Sequence, residues 1–293
     1  MKKQFLIMAI TTAMAVGTAY GQVPDIKFYN GKTIPQLGFG TWTLIEIATP
    51  SVKAAVKAGY RMFDTAQGYQ NEAAVYQGIV ESGIPRSEVF ITTKISPDHM
   101  RNRTVRESLD KSLADLGGEY IDLVLIHWPV KEHIRETWQI MEEYVDKGLI
   151  RSIGLSNFNP HHVDSLLEYA RIKPALNQIE IYPYFTQEEN VAFNRSKNIV
   201  VEGWSPLGSG TILDDETITG IAKRYGKSPA QIIIRWHLQR GLVTIPRTDN
   251  PAYIAENINV FDFELTDADM ALISSLNKNQ RRNAQNDPDN FPW

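Results

Sequence analysis

The chain has 293 residues, of which 43% are hydrophobic, and its formal net charge at pH 7 is −4. This composition is sufficient to bury a full core, which excludes a disordered chain, and it offers no basic footprint for nucleic acid. The absence of cysteine excludes disulfides, thiolate catalysis and thiolate metal sites.

The first residues have the layout of a secretory signal. A positive start, Met1–Lys3, is followed by an almost wholly apolar run to Val16 and by small residues before Gln22. We therefore predict a signal peptide over residues 1–21, a single mature domain over residues 22–293, and export to the periplasm. The apolar run is short for a membrane-spanning helix, so we expect no stable membrane insertion after cleavage. If the signal is not used, the protein is cytoplasmic.

Eight short apolar segments follow in the mature chain. Runs of this length and composition are typical of parallel strands that are covered on both faces. They are Leu37–Gly40, Arg61–Phe63, Val89–Thr93, Leu123–Ile126, Ser152–Leu155, Leu176–Ile179, Val200–Gly203 and Leu242–Ile245.

Segments with helical periodicity lie between these strands, and the last of them begins with Ser228 as the cap and Pro229 in the first turn. An alternation of eight strands with helices over roughly 250 residues predicts an α/β fold, a single (β/α)8 TIM barrel. Asn30 and Gly31 suit a two-residue hairpin turn with positive φ, and we expect this N-terminal β-hairpin to close the barrel floor. The predicted helices are Asn71–Ser82, Thr104–Leu116, Glu136–Lys147, Pro160–Ala170, Glu188–Lys197 and Ser228–Arg240.

Four polar residues follow three consecutive predicted strands: Asp64 and Tyr69, then Lys94, then His127. Each alone has a structural explanation, such as capping, solvation or packing. The carboxyl ends of barrel strands share one face, so the four side chains are expected to meet there. A lysine ammonium beside a phenol lowers the phenol pKa, a carboxylate holds the ammonium in place, and a histidine can orient a carbonyl oxygen.

The sequence around these four residues resembles the aldo-keto reductase family. Gly59–Glu72 matches the family signature almost position for position, and Thr93–Ile95 and Leu125–Pro129 match its lysine and histidine segments. The resemblance covers about residues 26–280. The overall pattern is similar to the bacterial members that reduce diketo-sugar acids, methylglyoxal and general aldehydes. Further matching segments are Gly154–Phe158, Asn177–Glu180, Trp204–Gly208 and Ile245–Thr248.

The resemblance implies hydride transfer from NADPH to the carbonyl of a small aldehyde, ketone or keto-sugar, with Tyr69 as the general acid. It implies that Ser156, Asn157 and Gln178 hold the nicotinamide carboxamide and that Trp204 stacks on the ring. The other implied cofactor-binding residues are Ser205, Leu207, Arg247, Thr248, Tyr253, Glu256 and Asn257, and the substrate-binding residues are Trp42, Trp128 and His127. No metal is expected, and we expect a monomer.

One segment departs from the family pattern. The family commonly has Lys, then Ser or Thr, then an Arg six positions after the Lys, and the two cations hold the 2′-phosphate of NADP(H). This chain has Arg247, Thr248 and Tyr253 at these positions. Arg247 keeps one charge with bidentate geometry, whereas Tyr253 replaces the other cation with an aromatic face. NADP(H) is therefore the expected cofactor, and NAD(H) is the alternative.

Other functions remain open alternatives at this stage. An exported glycoside hydrolase would need two facing carboxylates, for which Glu180 and Glu202 are available. A catalytically idle, cofactor-sensing barrel is a second alternative, although all four reactive residues are present. A metal hydrolase is not expected, because the adjacent residues His161 and His162 cannot share one helical face as ligands four residues apart can.

Two observations concern the cover of the pocket. Only Pro129–Arg135 separates His127 from the next predicted helix, so the pocket should be open on this side. The polar segment Asn277–Trp293 ends in the aromatic residues Phe291 and Trp293. Such a tail is either disordered or folded over the pocket rim, and composition does not decide between the two.

Overall fold

Eight parallel strands form a closed barrel in the computed structural model, which describes residues 23–291. Each barrel strand pairs with the next one along the chain. The first two strands lie outside the barrel and pair with each other in antiparallel fashion. They are β1 (Asp25–Lys27) and β2 (Thr33–Pro35), and the barrel strands are β3 (Phe39–Gly40), β4 (Met62–Asp64), β5 (Phe90–Ile95), β6 (Ile121–Ile126), β7 (Ile150–Ser156), β8 (Leu176–Glu180), β9 (Val200–Trp204) and β10 (Val243–Thr244).

The barrel closes where its first and last strands meet. Leu37 and Thr244 form a parallel bridge, and the Gly38 amide donates to the carbonyl oxygen of Thr244 at 2.9 Å. The Thr244 amide donates in turn to the carbonyl oxygen of Gln36 at 3.1 Å. These bonds leave no free sheet edge at the seam, which confirms the predicted (β/α)8 barrel. The eight predicted strands are confirmed to within two residues at each end.

The six predicted helices are also confirmed, and residues 23–291 contain five others that the prediction missed. Three of these, Ala48–Ala58, Pro97–Arg101 and Pro251–Ile258, have a proline in or just before their first turn. The other two, Glu216–Tyr225 and Asp267–Ser274, begin at capping residues Asp215 and Thr266. The helices are α1 (Ala48–Ala58), α2 (Glu72–Glu81), α3 (Pro97–Arg101), α4 (Val105–Asp115), α5 (Ile134–Asp146), α6 (Pro160–Leu167), α7 (Glu188–Ser196), α8 (Glu216–Tyr225), α9 (Pro229–Gln239), α10 (Pro251–Ile258) and α11 (Asp267–Ser274).

The N-terminal hairpin closes the barrel floor as predicted, but its turn differs from the prediction. The Phe28 amide donates to the carbonyl oxygen of Lys32 at 2.7 Å, and the Gly31 amide donates to that of Phe28 at 3.0 Å. Gly31 has a φ of +86°, whereas Asn30 does not have a positive φ. The turn is therefore a three-residue loop with glycine in the left-handed position, and the two-residue prediction was wrong.

The interior of the barrel changes character from floor to mouth. Near the hairpin it is apolar, with Met62, Leu123 and Val243 buried together. Side chains two residues apart on a strand point to the same face, so Asp64 lies above Met62 on the inner face of β4. The polar interior layer is thus nearest the carboxyl ends of the strands, where barrel enzymes carry their sites.

No helix among residues 23–291 is long and apolar enough to cross a membrane. The predicted signal peptide, residues 1–21, lies outside the described residues and stays a prediction.

Candidate active site

The structure brings the four predicted catalytic residues together at the barrel mouth. Asp64 ends β4, Lys94 lies in β5, and His127 follows β6 directly. Tyr69 lies in a short 3-10 turn after β4. Since parallel neighbouring strands end on the same side, their side chains converge without a long connecting loop.

Lys94 is the centre of this group. Its Nζ donates to Asp64 Oδ1 at 2.6 Å and to the carbonyl oxygen of Thr65 at 2.9 Å, and it lies 3.4 Å from the Tyr69 hydroxyl oxygen. The Lys94 side chain is fully buried. An ammonium group has three hydrogens, and these three partners account for all of them, which fixes the charge against the phenol.

The pKa of Tyr69 differs from the sequence-based expectation. Burial raises the pKa of Tyr69, the charge and hydrogen bond of Lys94 lower it, and the charges of Asp64 and Glu202 raise it, so that the pKa lies above its usual value. Lys94 therefore acts in the predicted direction but does not bring the pKa below its usual value. For Lys94, burial lowers the pKa, but Asp64 and Tyr69 outweigh burial, so its pKa is raised and Lys94 keeps its proton.

The surroundings of His127 favour its neutral form. Burial, and then the charge of Lys94, hold the pKa of His127 well below its usual value. Its ring lies edge-on to that of Tyr69, with 5.7 Å between the ring centroids. A neutral imidazole carries one N–H, so His127 can donate a hydrogen bond to an oxygen that also faces Tyr69.

The neutrality of His127 is directly measurable. We expect its imidazole resonances in NMR spectra to stay at the neutral position when the pH is lowered through its usual pKa of 6.5. Protonation of His127 near its usual pKa would contradict the proposed burial.

A hydrogen-bonded chain of amides connects the other strand ends to the four residues. Gln178 Nε2 donates to Asp64 Oδ2 at 2.8 Å, so Asp64 is held from both sides. Asn157 Nδ2 donates to the carbonyl oxygen of His127 at 3.0 Å, and Asn157 Oδ1 accepts from Trp204 Nε1 at 2.8 Å. Asn157 has a φ of +63°, a strained conformation of the kind that concentrates at functional sites.

A cavity of about 930 Å³ opens above this group. Arg247 crosses part of its mouth, because its Nε donates to the carbonyl oxygen of Trp42 at 2.9 Å and its guanidinium also bonds to Thr43 Oγ1. All the predicted cofactor-binding residues line the cavity, namely Ser156, Asn157, Gln178, Trp204, Ser205, Leu207, Arg247, Thr248, Tyr253, Glu256 and Asn257, as do Trp42, Trp128, His127, Asp64 and Tyr69.

The C-terminal tail supplies cavity residues that are not among the predicted site residues. Phe291 stacks on Trp128, with 3.7 Å between ring centroids and 5° between planes. The tail is anchored at Glu180, whose Oε1 accepts from the Arg282 amide at 2.8 Å. The tail is folded over the rim, and the pocket is more covered beside Trp128 than the short connection after His127 predicted. Arg282, Asn283, Asn286 and Phe291 all line the cavity.

A side-chain cluster at the start of α6 holds the tail in place. His161 Nε2 and His162 Nε2 lie 2.9 Å and 3.3 Å from Asp289 Oδ1. The sequence analysis did not anticipate that these adjacent histidines, in the first turn of α6, would face one carboxylate. The Asn159 amide donates to His162 Nδ1, which leaves the His162 proton on the nitrogen that faces Asp289. This arrangement suits a clasp between side chains better than a metal ion.

A second cavity, of about 940 Å³, lies at the opposite end of the barrel, beside the hairpin. Three of its charged groups are engaged with one another or with the protein: Lys32 bonds to the carbonyl oxygen of Arg151, and Asp122 pairs with Arg151 and with Arg86, which lies outside the cavity lining. None of the four predicted catalytic residues lines it. We therefore assign the chemistry to the mouth.

The glycoside hydrolase alternative finds no support in the geometry. Glu180 and Glu202 are both fully buried, and neither lines the mouth cavity. A sugar between two carboxylates requires both to face the same open space.

Comparisons with known proteins agree with one another. Residues 36–278 match the Aldo/keto reductase family. Glyoxal reductase of Bacillus subtilis is 45% identical over 258 residues, which are 87% of this chain and 94% of that protein. Methylglyoxal reductase DkgA of Escherichia coli O157:H7 is 42% identical over 272 residues, 91% and 97% of the two chains. The structure of a Bombyx mori aldo-keto reductase in complex with NADP superposes with a TM-score of 0.85 at 39% identity, covering 93% of this chain and 99% of that one.

Proposed function

This chain belongs to the aldo/keto reductase family and is an NAD(P)H-dependent oxidoreductase; within that family, we propose that it reduces a small aldehyde, ketone or keto-sugar, with Tyr69 as the general acid. The observation that carries this proposal is the Tyr69 hydroxyl oxygen, which lies 3.4 Å from the buried ammonium of Lys94. The proposal is tested by following NADPH oxidation with glyoxal, methylglyoxal and a panel of ketones. Inertness towards all of them would overturn it.

The four residues divide the work at the carbonyl oxygen. Tyr69 donates its proton to this oxygen, and neutral His127 donates a second hydrogen bond that orients the carbonyl. Lys94 stabilises the phenolate that remains, because its ammonium is fixed against that oxygen by Asp64. Negative charge develops on the carbonyl oxygen in the transition state. A general acid increases the rate because it donates its proton to this oxygen at that point.

The mouth has the side chains that a nicotinamide dinucleotide needs. When bound, the reduced nicotinamide supplies the hydride. Trp204 offers a flat ring for stacking, and its edge is fixed by Asn157. Ser156 and Gln178 are the proposed amide-binding groups, and both are buried in the cavity lining, whereas Tyr253 and Arg247 are exposed lining residues. The polar donors and the aromatic faces lie in one cavity, which fits the group.

The preference for NADP(H) or NAD(H) depends on which of the two cations of the family pattern this chain keeps. We propose that NADP(H) is favoured because Arg247 can bind a phosphate with two N–H groups. We expect kcat/KM to be higher with NADPH than with NADH, and we expect Arg247→Ala to reduce this ratio while it affects kcat/KM for NADH much less. Tyr253→Arg, which restores a second cation, should increase the ratio. A ratio far below one in the unmodified protein would contradict the preference.

The substrate is proposed to be small, because aromatic side chains narrow the space beside His127. Trp128 carries the stacked ring of Phe291, and Trp42 also lines the cavity. The relatives are named for glyoxal and methylglyoxal, and small dicarbonyls of this kind suit such a pocket.

We further propose that the protein is an exported monomer whose residues 1–21 are removed. NADP(H) is plentiful inside cells and scarce beyond the inner membrane, so export raises the question of how the cofactor is supplied. N-terminal sequencing of the protein from its native cell, with fractionation, tests this proposal. An intact Met1 in the cytoplasmic fraction would overturn it.

A further inference from the structure

A buried carboxyl group other than that of Asp64 lies close to the catalytic residues. Glu202 is in the middle of β9, fully buried, and in register with Gln178 of the neighbouring strand β8. Residues paired in register on adjacent strands project to the same face of a sheet. Gln178 projects into the barrel, since its amide reaches Asp64, so Glu202 projects into the barrel as well.

Among residues 23–291, neither carboxyl oxygen of Glu202 has a hydrogen bond of normal geometry. The Gln178 side chain, which donates to Asp64, is close enough to Glu202 to lower its pKa in part. Lys94, the cation whose charge acts on Glu202, already has three acceptors in Asp64, Thr65 and Tyr69. A buried carboxylate without partners is strongly unfavourable, and the neutral acid is favoured instead. Burial, and then repulsion from Asp64, raise the pKa of Glu202 to about 8.

Few ionisable groups surround Glu202. Inside the barrel it faces Asp64, Lys94 and Tyr69, which interact with it electrostatically. On the outer side of the sheet, His237 of α9 lies against the following residue, Gly203. Burial lowers the pKa of His237 to about 4, so it carries no charge when Glu202 ionises. The ionisation of Glu202 is therefore felt mainly by the catalytic group.

We propose that Glu202 is a positioning residue for the catalytic group, which supports carbonyl reduction as a neutral acid and draws Lys94 away from Tyr69 when it ionises. The proposal rests on the function of Tyr69 as the acid. A carboxylate at this place competes with Asp64 for the Lys94 ammonium and for the Gln178 amide. It also raises the pKa of Tyr69, which makes the phenol a weaker proton donor.

The first test is the pH dependence of kcat for aldehyde reduction with saturating NADPH. We expect kcat of the unmodified protein to fall above about pH 8. In Glu202→Gln, which is neutral at every pH, this fall should move upward by about one pH unit or more. Glu202→Asp keeps an ionisable group. Its kcat should therefore still fall at alkaline pH, at a pH between those for the unmodified protein and for Glu202→Gln.

Glu180→Gln is the matched control. Glu180 is also fully buried, and burial raises its pKa, but its Oε1 accepts the Arg282 amide at 2.8 Å and the interacting charges are Arg281 and Arg282. The alkaline fall in kcat should stay in place in this variant. The same alkaline fall in Glu202→Gln as in the unmodified protein would overturn the proposal.

A second readout does not depend on activity. An acid whose pKa is raised on folding, here from 4.5 to about 8, adds stability below the unfolded pKa, and this stability is lost as the pH rises through the folded pKa. The urea midpoint of Glu202→Gln relative to the unmodified protein should therefore increase between pH 4.5 and about pH 8. A constant difference would contradict a neutral Glu202. The urea measurement can be made even if the protein reduces no carbonyl. Failure of this inference can therefore be distinguished from failure of the proposed function.

Discussion

Replacing Tyr69 with phenylalanine should lower kcat for carbonyl reduction by about 10²–10⁴-fold, the usual contribution of a positioned general acid. The variant loses only the hydroxyl group, which accepts a hydrogen bond from Lys94 Nζ at 3.4 Å. The ring remains to pack against His127. The fold and the barrel mouth should therefore be retained, and the loss should appear in the chemical step.

Cofactor affinity provides the control for this variant. Trp204 lines the cavity, so quenching of protein fluorescence by NADPH should report binding. We expect nearly the same Kd for Tyr69→Phe and for the unmodified protein, because the phenol is not among the residues proposed to hold the dinucleotide. A variant with unchanged kcat would remove Tyr69 as the acid.

Replacing Lys94 with methionine should have two effects of different origin. Tyr69 loses the charge and hydrogen bond that lower its pKa, so the pKa rises further and kcat falls. Asp64 loses its ion-pair partner inside the protein, and removal of one partner of a buried pair costs about 3–5 kcal/mol of stability. Urea unfolding and turnover, measured on the same preparation, separate these effects.

The double variant Asp64→Asn/Lys94→Met is the matched control. It removes both buried charges together, so much of the lost stability should return, since a neutral pair does not leave an unpaired carboxylate. Activity should not return, because the phenol still lacks the ammonium. Recovery of turnover in the double variant would show that Lys94 serves the fold alone.

The barrel and the meeting of the four catalytic residues were predictable, because both depend on local patterns. Near-continuous apolar runs mark the strands, and the residue after each run is at the mouth wherever the strands are parallel. Asp64, Lys94 and His127 could be assigned to one face for this reason, before any distance was known.

The remaining features depend on contacts between distant segments, which no local pattern encodes. The net pKa of Tyr69 is set by how completely the mouth excludes water, and the sequence indicated only the effect of Lys94. The stacking of Phe291 on Trp128 joins residues 163 positions apart in the chain, and the clasp at Asp289 depends on where α6 begins. Glu202 was noticed as a carboxylate of another enzyme class, and only the structure showed that it is buried close to the catalytic residues.

In the proposed reaction, a proton moves from Tyr69 to the carbonyl oxygen while hydride reaches the carbon. Single-turnover reduction of methylglyoxal, followed in H₂O and in D₂O with NADPH carrying hydrogen or deuterium at the transferred position, tests this most directly. We expect both substitutions to slow the same kinetic phase, with the solvent effect changed in Tyr69→Phe. A chemical phase that is insensitive to D₂O, or a solvent effect that Tyr69→Phe leaves intact, would contradict the account.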